Sequence, residues 1–329
     1  MIPTYNRAHL VLDAIRSVLR QTMPDLECIV VDDGSTDSTP ELLAAMTDPR
    51  LRVIVRRHAG VAAARNLGVD QAHAPLVAFL DSDDLWRPDK LAHEVPYLEG
   101  HPQVDAVFSD LEKEDGGRVY PSFMRETAVF SRLLGDREYP DGVALSRREI
   151  FLVLLEEVPI KPSALTIRRD AFEKAGRFDE TWSSSEDWEF LLRFAHAHRF
   201  GYIDLPLAVL RVGRDSLHRV DQARGDRAML RLLLRERRLL RRDREAREAV
   251  NRGLVARAKH FGWHYTDTGR RGAAAAVFLQ GFAVTRSPAL LFRGLAALVG
   301  VAAAPRPRTL ANTTRLTATA SGRRGRRSA

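Results

Sequence analysis

The chain of 329 residues is 45% hydrophobic and 29% charged, enough apolar content for a real core and unlike a wholly disordered or collagen-like chain. A single cysteine, Cys28, excludes an internal disulfide and points to a reducing compartment. The formal net charge of +8 is uneven: residues 305–329 carry seven arginines and no acid, leaving +1 for the first 304 residues. A nearly neutral body argues against nucleic acid as its partner.

Pro3, Tyr5 and Asn6 follow Met1 where a secretory leader would place a basic segment and an apolar run. The longest apolar stretch, residues 289–304, is interrupted by Arg293 and falls short of the roughly 20 residues a spanning helix needs. A soluble, cytoplasmic protein is expected.

The first half alternates helix and strand patterns. Residues 8–21 repeat apolar side chains at helical spacing, with Asn6 as the expected cap, and 28–31 form an apolar run ending in Asp32-Asp33-Gly34. A helix follows to residue 46, with Pro40 and Glu41 in its first turn. Residues 51–55 and 76–80 read as strands, the second ending at Asp81, with a helix over 60–72 between them. This alternation predicts an α/β domain with a mixed, mostly parallel central sheet, which binds ligands outside the carboxyl ends of its strands.

The middle is less regular. A helix over 88–99 is bent at Pro96, a strand covers 106–111, and Gly116-Gly117 marks a hairpin. Helices are expected near 146–157, 170–175 and 186–198, and strands at 164–167 and 202–212, the last interrupted by Pro206. Beyond residue 215 the pattern is helical, over 221–250, 255–264 and 273–283, and from Pro305 the composition is too poor in apolar residues to order itself. The expected division is therefore 1–215, a helical region 216–304, and an Arg-rich tail 305–329.

Three acidic groups could carry chemistry. Asp81 and Asp83 stand two apart at a strand end and suit Mg²⁺ or Mn²⁺, although a solvated loop capping the next helix would use the same residues. Asp32-Asp33 could accept hydrogen bonds from a nucleobase or ribose, or serve only turn chemistry. Glu186-Asp187 open an amphipathic helix, where acids either complement the dipole or act as a base at the edge of a cleft. His260 and His264 lack an acidic third ligand, Cys28 reads as inert core, and no dinucleotide, phosphate-loop or nucleophile-elbow motif occurs.

In chain order, Ile2-Pro3-Thr4-Tyr5-Asn6-Arg7, Val30-Val31-Asp32-Asp33-Gly34-Ser35, Gly60-Val61-Ala62-Ala63-Ala64-Arg65-Asn66, Phe79-Leu80-Asp81-Ser82-Asp83-Asp84 and Glu186-Asp187-Trp188 closely resemble family 2 glycosyltransferases of the GT-A fold. The resemblance covers about residues 1–215. It implies a Rossmann-like nucleotide-binding domain and transfer of a sugar from a nucleotide-diphosphate sugar, UDP-linked above all, with inversion and a divalent cation.

Carried over by position, the resemblance gives Pro3, Tyr5 and Asp33 contacts to the nucleoside, and Arg65 a contact to the nucleotide side of the donor. It makes Asp81 and Asp83 the acidic motif, with Asp83 the direct metal ligand, and Asp187 the general base supported by Glu186. Relatives often carry a His after the last strand; here the nearest is His218. Relatives also usually begin several residues earlier, so a weakened first strand and low stability are expected. The Gln-x-x-Arg-Trp signature of processive synthases is absent, which favours single additions.

The expected acceptor is a saccharide or lipid-linked hydroxyl in cell-envelope or exopolysaccharide synthesis. The Arg-rich tail would touch an anionic membrane from the cytoplasmic face. A nucleotidyltransferase and a non-catalytic, membrane-associated pseudo-transferase are the alternatives.

Overall fold

The computed structural model describes residues 1–213 and 222–299, which leaves His218 and the Arg-rich tail outside the described residues. Contacts divide the chain into two compact units, Met1–Arg257 and Ala258–Ala329.

In the first unit, β1 (Ile2–Thr4), β2 (Cys28–Asp32) and β3 (Leu51–Val55) form a parallel sheet in the order β1-β2-β3, with Ile2 opposite Val30 and Cys28 opposite Leu51. Every residue of β2 is buried, as its unbroken apolar run requires of a strand covered on both faces. The helices α1 (Val11–Leu19), α2 (Thr39–Ala44) and α3 (Val61–Asp70) make the crossovers. Val11, Ala14, Ile15 and Val18 of α1 join Ile2, Cys28 and Val30 in one core. Asn6 does not cap α1. The helix begins at Val11, while Asn6 takes a positive φ of 51° and its Oδ1 accepts the Thr36 N–H at 2.7 Å, tying the β1 loop to the β2 loop.

A second, mixed sheet contains β4 (Leu76–Ala78), β9 (Leu165–Arg168), β6 (Ala106–Asp115), β10 (Phe200–Val212) and β5 (Leu85–Trp86) in that order. Short β7 (Arg118–Tyr120) pairs with β6, and β8 (Val143–Ala144) with β10. The pairs β4–β9, β9–β6 and β10–β5 are antiparallel, whereas β6 and β10 run parallel, with register shifts around Pro206, which has no N–H to give. Gly116 and Gly117, both at positive φ, turn the β6–β7 hairpin as their sequence suggests. Met1 joins the two sheets: its nitrogen donates to the Ala78 carbonyl at 2.9 Å and its carbonyl accepts the Leu80 N–H at 3.0 Å. Strand β1 thus lies between β2 and β4, and β1, β2 and β4 all end on one edge.

Helix α4 (Lys90–Gly100) contains Pro96 and begins with a fully buried lysine. The Lys90 ammonium pairs with Glu94, lies over the Trp86 ring at 4.7 Å, and is 3.4 Å from Thr166 Oγ1. Burial lowers its pKa, and Glu94 opposes that shift. The remaining helices of this part are α5 (Phe130–Leu134), α6 (Arg147–Leu154), α7 (Arg169–Ala175) and α8 (Glu186–Ala195).

The helix expected over 221–250 is two helices, α9 (Gln222–Leu239) and α10 (Arg244–Asp267). Asp243 causes the break: its carboxylate accepts the Ala246 N–H at 3.0 Å and is gripped by Arg148, so a new helix starts there. In the second unit, α11 (Arg271–Thr285) packs against α12 (Pro288–Val299), with Gly294 close against Leu279 and Gly281 against Leu290. No helix among the described residues is long and apolar enough to cross a membrane.

A buried ion pair deprived of one member leaves an uncompensated charge. Lys90→Met is therefore expected to cost about 3–5 kcal/mol in urea denaturation, and Lys90→Met/Glu94→Leu to recover much of it. A single variant as stable as the double one would contradict this account.

Candidate active site

The parallel edge collects the chemistry. Pro3 is buried in β1 opposite Val31, and Tyr5, just past the strand end, is 40% exposed and stacks on His58 with ring centroids 4.2 Å apart. Asp32 and Asp33 end β2 and divide the work. Asp32 Oδ1 accepts both the backbone N–H and the hydroxyl of Ser35, which is turn chemistry. Asp32 Oδ2 and Thr4 Oγ1, opposite each other on β2 and β1, are buried without a protein partner.

Asp33 reaches across to the start of α3, where its carboxylate accepts the Ala59 and Gly60 N–H groups at 3.1 and 2.7 Å. Arg56 Nε and His58 Nδ1 lie 3.2 and 2.8 Å from the same carboxylate. Two backbone hydrogen bonds and two nearby cationic or polar nitrogens thus crowd the carboxylate. His58 is half exposed, stacks on Tyr5, and its Nδ1 also lies 3.2 Å from the Asp33 carbonyl oxygen. Gly34 allows this crowding: it sits at φ 78°, and a Cβ would lie 2.9 Å from the His58 nitrogen.

Helix α3 carries Arg65 inward. Its guanidinium is buried, with Nη2 donating to Asp81 at 2.7 Å and Nη1 to Glu186 at 2.6 Å, residues 16 and 121 positions away. The plane also lies over the Phe178 ring at 5.4 Å. Burial works against the Arg65 charge, but Asp81 and Glu186 outweigh it and hold the group more firmly protonated. Arg65 therefore bridges the acidic loop and the first turn of α8, and only its Nε lacks a partner.

The acidic loop follows β4. Ser163, in a short 3₁₀ turn over Pro162–Ala164, accepts the Asp81 N–H at 3.1 Å and donates to Asp84 Oδ2 at 2.5 Å. Trp86 Nε1 holds the Ser163 carbonyl at 2.8 Å, and Arg211 on β10 gives its N–H to Asp84 and its Nε to the Asp83 carbonyl. Asp84 is thus fully engaged, whereas the Asp83 carboxylate accepts no hydrogen bond from another described residue and stays half-buried. Burial, then the charges of Asp83 and Asp81, push the Asp84 carboxyl well above its ordinary range. Burial and Asp81 raise Asp83 in the same direction.

Ser185, in a left-handed conformation, starts α8, and Glu186 and Asp187 fill its first turn. Glu186 is buried, which raises its pKa; Arg65 opposes the rise and Asp187 adds to it. Asp187 is half-buried, with Oδ1 accepting the Trp188 N–H at 2.8 Å. Lys161, beside the Ser163 turn, holds its ammonium over the Phe123 ring at 5.3 Å, and burial lowers its pKa against the raising fields of Asp187, Asp84 and Asp81.

The structure thus gathers Arg65, Asp81 and Glu186 by direct contact and places Asp83 and Asp187 on the elements those contacts join. Pro3, Tyr5 and Asp33 lie at the ends of the neighbouring strands. Ser163, Arg211, Lys161 and His58 carry no motif of their own; for Ser163 the one sequence cue was a polar residue between Pro162 and an apolar strand. Among the described residues no group of three His, Cys, Asp or Glu side chains is placed to hold a metal ion.

A parallel sheet whose strands end in acidic loops, linked by an arginine to a helix opening on two acids, defines a GT-A glycosyltransferase domain. The family model described as Glycosyl transferase family 2 matches residues 1–175, and the chain belongs to that family. An uncharacterised glycosyltransferase of Rickettsia conorii is 30% identical over 213 residues, 64% of this chain and 32% of that protein. The Escherichia coli enzyme WfgD, a UDP-Glc:α-D-GlcNAc-diphosphoundecaprenol β-1,3-glucosyltransferase, is 38% identical over 99 residues, 30% of this chain and 39% of that one. The matched stretch therefore spans about a third of these relatives' length. Among solved structures, S. aureus TarS 1–349 in complex with UDP-GlcNAc superposes with a TM-score of 0.61 at 20% identity, covering 91% of this chain and 87% of that one.

Asp83, Asp84 and Glu186 all have carboxyl pKa values raised by folding. Their contribution to stability is complete below the ordinary carboxyl pKa of about 4 and is lost as pH rises through the raised values. Asp84→Asn keeps the shape and can still accept the Arg211 N–H. It is expected to stabilise the metal-free protein at pH 8 by on the order of 1 kcal/mol, with the gain shrinking at pH 5. Thermal melts at the two pH values measure this, and a gain that grows on acidification would reverse the assignment.

Proposed function

We propose that this chain transfers one sugar from a UDP-sugar to a hydroxyl acceptor, with inversion, in building a cell-envelope or extracellular polysaccharide. The observation that carries the reading is the Arg65 bridge, which ties the acidic loop to the helix bearing Asp187. Support for the donor comes from the UDP-GlcNAc complex of the TarS fold neighbour. Support for the acceptor comes from WfgD, named for a diphosphoundecaprenol-linked sugar, and from the succinoglycan protein ExoO, 46% identical over 92 residues. Family membership removes the support for nucleotidyl transfer.

In this reading Tyr5, Pro3 and the Asp33 corner receive the nucleoside. Asp83, with Asp81, would hold Mn²⁺ or Mg²⁺: both are hard oxygen donors, and burial beside the Asp81 charge raises the Asp83 pKa, a crowding that a cation would relieve. The chemistry such a cation supplies is neutralisation of the departing diphosphate. Asp187 takes the proton of the acceptor hydroxyl, whose oxygen attacks the anomeric carbon on the face opposite the nucleotide, so that the C–O bond to UDP breaks as the new one forms and the configuration inverts. Arg65 neutralises Glu186 beneath Asp187, so two adjacent acids do not share the site uncompensated. Ser163 and Arg211 keep Asp84 turned inward and leave Asp83 presented.

UDP release from a panel of UDP-sugars and acceptors tests the reading. Asp187→Asn should lower kcat by about 10²–10⁴ with the Mn²⁺ dependence unchanged. Ser163→Ala should instead weaken activation by Mn²⁺ about 10–100-fold, because it loosens the acidic loop. Full turnover in EDTA would remove the cation from the account. A product that keeps the donor's anomeric configuration by NMR would remove inversion.

A further inference from the structure

Four of the large hydrophobic side chains exposed in the described structure fall on the twelve residues of α12: Phe292, Leu295, Leu298 and Val299, from 52% to 74% exposed. Phe292, Leu295 and Val299 follow helical i, i+3, i+7 spacing, so they share one side of the helix. Leu290, Gly294 and Ala297 are buried on the other side, next to α11. The outward stripe is therefore not the face that folds the unit.

Charge says what covers it. After Asp267 the chain has no acidic residue: residues 268–329 contain eleven arginines and no Asp, Glu or Lys. Residues 1–267 hold all 43 acids against 40 basic residues. Two of the eleven, Arg286 and Arg293, flank and interrupt α12, and Arg293 is drawn back over the Trp263 ring at 5.0 Å, leaving the stripe wholly apolar. Helix α12 would be about 18 Å long, too short for a hydrocarbon core of about 30 Å. An apolar stripe without acids, set in an arginine-rich segment, matches a helix lying in the plane of an anionic bilayer. Nucleic acid or an acidic protein would satisfy the charge but not the stripe, and pairing with a second copy would oppose two acid-free, positively charged segments.

We propose that α12 seats its Phe292–Val299 stripe in the surface of an anionic membrane, with the surrounding arginines on lipid phosphates. This places the contact on a folded helix and not only on the tail, and it suits a transferase whose acceptor is carried on a lipid, although it does not depend on the transfer reading.

The test is cosedimentation of the full chain with phosphatidylcholine vesicles and with vesicles of phosphatidylcholine and phosphatidylglycerol at about 7:3. The wild type should partition about tenfold more strongly onto the anionic vesicles, less so as salt is raised. Phe292→Ser/Leu295→Ser/Leu298→Ser should lose about tenfold of that partition with helix content by circular dichroism, and the melting shift produced by UDP, unchanged. Equal partition of variant and wild type overturns the proposal, as does equal binding to both vesicle types. A variant that becomes monomeric from a dimer while its vesicle binding stays constant assigns the stripe to self-association and also overturns it. Vesicle binding without sugar transfer would leave this proposal standing and remove the transfer reading.

Discussion

One arginine holds the site together. Arg65 is buried between the partly exposed Asp81 and the buried Glu186, and Glu186 would not be tolerable at that depth without it. Its two forks join segments that follow different strands, so the acidic loop and the acid-tipped helix α8 are fixed relative to each other before any ligand arrives. A lysine could not replace it, since one ammonium cannot present two divergent N–H groups in a plane. The Phe178 ring beneath the guanidinium keeps that plane from rotating.

Around this bridge the acidic residues separate into held and presented ones. Asp84 is bonded to Ser163 and Arg211, Asp33 caps α3, and Glu186 is neutralised by Arg65. Asp83 and Asp187 keep oxygen atoms uncommitted. Adjacent acids in one short motif thus have opposite physical roles, and the difference comes from partners lying up to 127 residues away.

That is also where sequence reading stopped. The alternation of strands and helices was legible because buried parallel strands are short apolar runs and the crossovers between them are amphipathic. The Gly116-Gly117 hairpin was legible because two successive positive-φ positions suit a glycine pair. The site's acids were legible from their order along the chain, but Ser163 and Arg211 were not, since a hydrogen bond between distant segments leaves no local pattern. Asn6 shows the reverse error: its residue type suits a helix cap, yet a loop-to-loop bond to Thr36 claimed its side chain. The long arginine-rich helix was misjudged for a similar reason. Asp243 looks like one more charge in a polar stretch until Arg148, almost a hundred residues earlier, fixes it as a helix start.

The seam at Met1 has a mechanical meaning. Strand β1 and the strand leading into the acidic loop are stitched along the backbone by two hydrogen bonds at Met1. Slack of an ångström there would part the Tyr5–Asp33 corner from Asp81 and Asp83. Misplacement on that scale can cost about a hundredfold in rate. Met1, whose carbonyl holds the Leu80 N–H beside Asp81, therefore sets the spacing between the two halves of the edge.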